Sequence, residues 1–101
     1  MFSNIFFRFE WDETKRLSNI EKHGVDFKVI KLLFGDKNRI EFVDNRKEYA
    51  EKRFQTIGAV DGIILFVVYT KRHFSRRIIS ARIANRKERS VYYVKNERNV
   101  R

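Results

Sequence analysis

Hydrophobic positions along the chain change period several times, and each change marks an element. Ile5 to Glu10 is a short, aromatic, strand-like run. Asp12 then reads as a helix N-cap, with Glu13 near the positive end of the dipole. The helix is predicted to reach about His23, where Gly24 supplies a left-handed C-terminal position. Leu17 and Ile20, three apart, mark its apolar side. Asp26 caps a second, shorter helix in which Phe27, Ile30, Leu33 and Phe34 recur at helical spacing and which Gly35 ends. Arg39 to Val43 is β-prone, and the charged run Asp44 to Lys52 reads as a solvated loop. Arg53 to Val60 predicts a strand, Asp61-Gly62 a tight hairpin turn, and Ile63 to Tyr69 its partner. That partner is apolar at every position, as suits a central strand covered on both faces. Arg77 to Ile83 is another strand. Asn85 opens a last helix, with Glu88 placed as in a capping box and Val91 and Val94 on one side. The order β-α-α-β-β-β-β-α predicts an α+β protein: an antiparallel sheet of about four to five strands, two N-terminal helices and one C-terminal helix.

Composition narrows the class. A chain of 101 residues, 43% apolar and with ten Phe, fits one domain spanning residues 1–101 with a modest core. It has no Cys and no Pro, and the missing cysteines favour a reducing compartment. No run approaches the roughly 18 apolar residues of a membrane span. The first residues, Met1 to Phe7, lack the basic lead and small-residue cleavage site of a signal peptide. The expectation is a cytoplasmic protein. Metal chemistry has little to build on, because His23 and His73 are the only histidines and neither has a carboxylate at ligand spacing. The four glycines, at 24, 35, 58 and 62, form no phosphate loop. No cofactor is expected.

Charge is what stands out. Residues 63–101 hold 11 of the 23 Lys and Arg against two acids, and so carry nine of the ten net positive charges. Cations localised on strands suit a polyanion such as RNA. In metal-free RNA cleavage the neighbouring 2′-hydroxyl attacks phosphorus, and fixed guanidiniums stabilise the charge that develops on the phosphate. Arg72 and Arg77 flank one predicted turn. By strict alternation Arg82 shares a face with Ser80 and Arg76, while Arg77 points the other way. Arginines at hairpin ends are as often a solvated rim that discourages sheet pairing. His23, at a helix C-terminus, reads first as compensating the dipole and second as a proton-transfer group. Of the adjacent Tyr92 and Tyr93, one is expected in the core. Trp11 reads as a structural staple for the first helix.

Several motifs together resemble one family. Phe9-Glu10-Trp11-Asp12-Glu13, Lys15, Asn19 and Lys22-His23-Gly24-Val25, then Phe27, are similar to the start of the BrnT toxins of bacterial type II toxin–antitoxin pairs. Val67-Val68-Tyr69-Thr70, Arg77-Ile78-Ile79-Ser80-Ala81-Arg82, Ala84 and Glu88-Arg89 resemble the second half of that family. The resemblance covers residues 9 to 93 and departs at Ile83, where the family pattern carries a basic or polar residue. It implies a RelE-like fold and a ribonuclease activity that stops translation. It also implies neutralisation by a BrnA-like antitoxin that binds operator DNA for the complex. On that basis Arg53, Arg72, Arg77 and Arg82 are the expected phosphate-binding and transition-state groups, with His23 a candidate for proton transfer. Lys22, Lys52, Arg86, Arg89 and Tyr93 are expected along the RNA path. The competing reading is a non-catalytic basic module that holds nucleic acid or antitoxin, and a third is a purely protein-binding domain.

Overall fold

A computed structural model describes residues 7–99, the side chains of residues 98 and 99 excepted. The elements follow the pattern closely: β1 (Arg8–Glu10), α1 (Glu13–His23), a 3-10 turn (Phe27–Val29) running into α2 (Ile30–Phe34), β2 (Ile40–Val43), β3 (Arg53–Val60), β4 (Ile63–Arg72), β5 (Ser75–Ile83) and α3 (Arg86–Asn99). The Ile5 and Phe6 end of the first predicted strand lies outside the described residues. Asp12 caps α1 through its side chain on the Thr14 and Lys15 amides, and Gly24 closes it at φ 72°. Asp61 and Gly62, both at positive φ, form the β3–β4 turn. The capping box at α3 is reciprocal: the Glu88 amide donates to Asn85 Oδ1 and the Asn85 amide to Glu88 Oε1, each at 2.8 Å.

The strands form one five-stranded sheet in the order β1-β5-β4-β3-β2. β2 through β5 are antiparallel, as the hairpin signals imply, but β1 joins the edge parallel to β5. Alternation over three residues carries no direction, so the sheet is mixed where pattern alone suggested antiparallel throughout. β4 is central and, past Ile63, buried to Thr70 on both faces.

Two cores follow. On the first face α2 and the 3-10 turn bury Phe27, Ile30, Leu33 and Phe34 against Leu65, Val67, Tyr69 and Ile78. A Cβ at Gly58 would lie 3.0 Å from Leu33 Cγ, so glycine there lets α2 seat on β3. Leu33 is fully buried, and its truncation to Ala costs about 2–5 kcal/mol. On the second face α3 places Tyr92 with Ile57, Ile64, Phe66 and Val68. The Tyr92 hydroxyl donates to Asp36 Oδ2 at 2.6 Å, and the same carboxylate oxygen accepts the Ala59 amide, which ties α3 to α2 and β3.

Two helix faces differ from expectation. Leu17 is 55% exposed, and the inward position of α1 belongs to the buried Asn19. β1 ends at Glu10, which leaves the outer edge of β5 open beyond Arg77. Asn19 fills that gap as a strand would, its amide pairing with both the carbonyl and the N–H of Ala81 and also reaching the Val25 carbonyl. In α3, Val94 faces out and Tyr92 faces in, so a tyrosine sets the buried stripe.

Candidate active site

A bulge in β5 decides which arginines meet. Val68 pairs with Ser80 but Tyr69 pairs with Ile78, so Ile79 is an extra residue. Ile78 and Ala81 enter the first core, whereas Ile79 packs against the second. Alternation is reset, and Arg77, Ser80 and Arg82 all face the side that carries α3. Strict alternation had set Arg77 apart from Arg82; the inserted residue brings them to one face. Arg76 takes the opposite face, its guanidinium 3.7 Å from the Phe7 ring centroid.

Cross-strand register then aligns a row on that face. Arg53 on β3 pairs with Thr70 on β4, Thr70 with Arg77 on β5, and Arg77 with Glu10 on β1. Two guanidiniums thus flank a threonine at the centre of the sheet. Thr70 is 2% exposed, and its hydroxyl is the one buried side-chain polar atom without a hydrogen-bond partner among the described residues. The equally buried Thr56, on the other face, shows the contrast: its hydroxyl donates to the Ile40 carbonyl and accepts from Arg39. An unpaired buried hydroxyl costs about 1–3 kcal/mol.

The arginines named from sequence divide by their partners. Arg82 forms a bidentate pair with Glu88, both bonds 2.8 Å, and lies over the Phe66 ring. Its charge is spent on fixing the start of α3 to β5. Arg72 is gripped by both oxygens of Glu51 at 3.0 Å, with Glu10 at 3.7 Å, and the Glu51 hydrogen bonds raise its pKa. Arg53 and Arg77 have no carboxylate within ion-pair distance among the described residues. Arg53 instead rests 4.2 Å over the Tyr49 ring centroid.

Tyr49 is held by a loop the charge pattern described only as solvated. Asp44 in that loop is buried and accepts two bonds from the Arg46 guanidinium, at 2.8 and 2.7 Å, and one from the Tyr49 hydroxyl. The Arg46 bonds hold the Asp44 carboxyl far below the usual range, so it stays ionised and keeps the loop folded at neutral pH. The loop thereby presents an aromatic ring under Arg53. Sequence reasoning missed Thr70, Tyr49 and Asp44. Thr70 had a signal in its place beside Arg53 and Arg77 across two hairpins, which only the register reveals.

Other expected residues lie elsewhere. His23 and Lys22 are exposed at the end of α1 and have no hydrogen bond or ion pair with the arginine row. Lys52 is exposed at the entry to β3, next to Arg53. Arg86, Arg89 and Tyr93 share an outward stripe of α3 that borders a groove of about 550 Å³. A second concavity, about 510 Å³, opens between β1 and the β4–β5 turn, with Arg8, Glu10, Arg72, His73 and Ser75 on its walls. It adjoins Arg77 through Glu10. Among the described residues no three His, Cys, Asp or Glu side chains converge as metal ligands would, and no helix is long and apolar enough to cross a membrane.

A free pair of guanidiniums on a stiff sheet, backed by an aromatic and a hydroxyl, can bind a phosphodiester and stabilise charge on it. A comparison with protein families supports the same chemistry. The model of a family described as the ribonuclease toxin BrnT of type II toxin–antitoxin systems matches residues 11–88, the greater part of the chain, from Trp11 through Glu88 of the capping box. No match to an individual curated protein was found. With that family-wide match and an arginine pair within the matched span, the chain belongs to the BrnT family of ribonuclease toxins.

Proposed function

We propose that this protein is an endoribonuclease that cleaves RNA without a metal ion, with Arg53 and Arg77 as the phosphate clamp. The ribose 2′-oxygen attacks the adjacent phosphorus, the P–O5′ bond breaks, and a 2′,3′-cyclic phosphate and a 5′-hydroxyl remain. Charge on the non-bridging oxygens rises in the transition state, and guanidiniums fixed on β3 and β5 meet it without reorganising. The observation that carries this reading is the row itself: two arginines with no carboxylate within ion-pair distance among the described residues, on either side of a Thr70 hydroxyl that has no partner among them. Arg72 and Arg82 serve the frame, through Glu51 and Glu88. Lys52, Arg86, Arg89 and Tyr93 extend the cationic path along which flanking nucleotides run. Cleaved messages stop translation, and a BrnA-like antitoxin neutralises the enzyme by covering the row and carries the complex to operator DNA.

The test is cleavage of RNA by the purified protein in the presence of a chelator, with Arg53→Ala and Arg77→Ala as controls. Cyclic-phosphate ends and loss of cleavage in both variants are expected. Binding of RNA with no cleavage would leave a basic binding module in its place, and activity restored only by a divalent ion would overturn the metal-free route.

A further inference from the structure

We infer that Glu10 and His73 are the proton-transfer pair of the site, Glu10 as general base and His73 as general acid. This rests on the nuclease reading above and names the groups that reading leaves open. Guanidiniums stabilise charge but do not exchange protons near neutral pH, so the cleavage needs two further groups. One must take the 2′-hydroxyl proton and another must supply one to the departing O5′. His23, the proton-transfer candidate suggested by sequence, is exposed at the end of α1 and has no hydrogen bond or ion pair with the arginine row.

The concavity between β1 and the β4–β5 turn holds both required chemistries. Glu10 pairs in register with Arg77, so its carboxylate stands at the end of the guanidinium row. One of its oxygens, Oε2, accepts the Ser75 hydroxyl at 3.3 Å and faces Arg72 at 3.7 Å. Those contacts orient it, and Oε1 is left to accept a proton. His73 belongs to the turn that forms another wall of the same space, is exposed, and packs edge-on to Phe74 at 5.4 Å between ring centroids. The charged groups around the pair are Arg8 on β1, Arg72 on β4, itself held by Glu51 of the loop before β3, and Arg77 on β5 as the register neighbour of Glu10. A volume of about 510 Å³ accommodates a nucleotide-sized group between base and acid. The family description names a ribonuclease toxin and no proton-transfer groups, so the match over residues 11–88 does not supply this assignment.

In the step proposed, Glu10 removes the 2′-hydroxyl proton as the O2′–P bond forms. His73 gives its proton to O5′ as the P–O5′ bond breaks. One proton is taken up and one released, so the enzyme regains its starting state by exchange with water.

The experiment measures cleavage of a short RNA by the full chain across pH, for wild type, Glu10→Gln and His73→Ala. A parallel substrate carries sulfur in place of the bridging O5′, a leaving group that needs no protonation. Expected are a bell-shaped profile for wild type and a fall on the order of a hundredfold or more in each variant. Glu10→Gln loses the acidic limb and His73→Ala the basic limb, and only His73→Ala regains wild-type rate on the sulfur substrate. Melting curves of both variants are expected to overlie wild type. Wild-type rates and profiles in both variants, with Arg77→Ala inactive, would sink the pair and leave the nuclease standing. A wild-type protein that cleaves neither substrate would overturn both readings.

Discussion

Two ends of one sheet face carry the same side chain with opposite fates. Toward the start of α3, Arg82 meets Glu88 in a two-pronged pair, and Glu88 in turn accepts the Asn85 amide. At the other end of β5, Arg77 and, across β4, Arg53 have no acid within ion-pair distance among the described residues, and the hydroxyl between them has no partner there. Arg82 and Arg77 both lie on β5, separated by one bulge. Formal charge therefore says little about available charge. What distinguishes the ends is the placement of acids: Glu88 and Glu51 neutralise the arginines that frame the sheet, and the centre of the face is left cationic. Leaving such a cluster unpaired has an energetic cost, and the ordinary reason to keep it is a ligand of opposite charge.

The sharpest way to separate the two ends is to remove one arginine from each. Arg77→Ala and Arg53→Ala are expected to lower RNA cleavage by about 100- to 1,000-fold, the usual effect of losing one preorganised charge-stabilising donor. Their melting temperatures should stay within a degree or two of wild type, since neither guanidinium is engaged by a carboxylate. Arg82→Ala should do the reverse. Breaking a part-buried bidentate pair leaves Glu88 uncompensated and destabilises the fold by about 1–3 kcal/mol. Denaturant unfolding of Arg82→Ala, Glu88→Ala and the double variant measures it, with a coupling energy of about 1 kcal/mol expected. A folded Arg82→Ala that has lost cleavage as completely as Arg77→Ala would erase the distinction.

A smaller effect tests the centre. Thr70→Val keeps the shape and removes the unpaired hydroxyl. It is expected to stabilise the protein by about 1 kcal/mol while lowering cleavage several-fold, a trade of function against stability. A Val variant less stable than wild type would show that the hydroxyl has a native partner.

How much of this was legible beforehand follows from what pattern encodes. Element order, the β3–β4 turn, the α3 capping box and the doubly buried β4 all rest on local chemistry, and all appear as expected. The direction of β1 and the inward role of Asn19 depend on which edge of β5 lies open, which no local period reports. The site shows the same limit. Arg53, Arg72, Arg77 and Arg82 were picked out as a set because of their residue type, but which of them is engaged depends on how the loop before β3 and the start of α3 fold back. Glu51 reaches Arg72 from 21 residues away. Even the nearby Glu88 and Tyr49 meet Arg82 and Arg53 only once those segments turn onto the sheet. The bulge at Ile79 was the decisive hidden feature. One extra residue flips the faces of everything before it, and Arg77-Ile78-Ile79-Ser80 gives no sequence cue for that insertion.

Acidification offers the finest comparison, because it switches off the acid that pairs with Arg82, whereas Arg77 has no carboxylate within ion-pair distance among the described residues. Burial pushes the Glu88 carboxyl up. Hydrogen bonds from Arg82 and the Asn85 amide outweigh it, so its pKa lies below the ordinary glutamate value. A group depressed on folding contributes stability that is fully present above its unfolded pKa and is lost as pH falls through its folded value. The Arg82–Glu88 pair should therefore stabilise α3 undiminished at neutral pH and fade only below the ordinary glutamate range. The stability difference between wild type and Glu88→Gln, followed by denaturant melts at descending pH, is expected to be constant down to that range and then to shrink. The difference between wild type and Arg77→Ala should change far less over the same interval, since no carboxylate lies within ion-pair distance of Arg77 among the described residues and its register neighbour Glu10 pairs with Arg72 instead. Parallel pH curves for the two variants would mean that Arg77 also draws on a carboxylate, and the free-guanidinium pair would no longer describe the site.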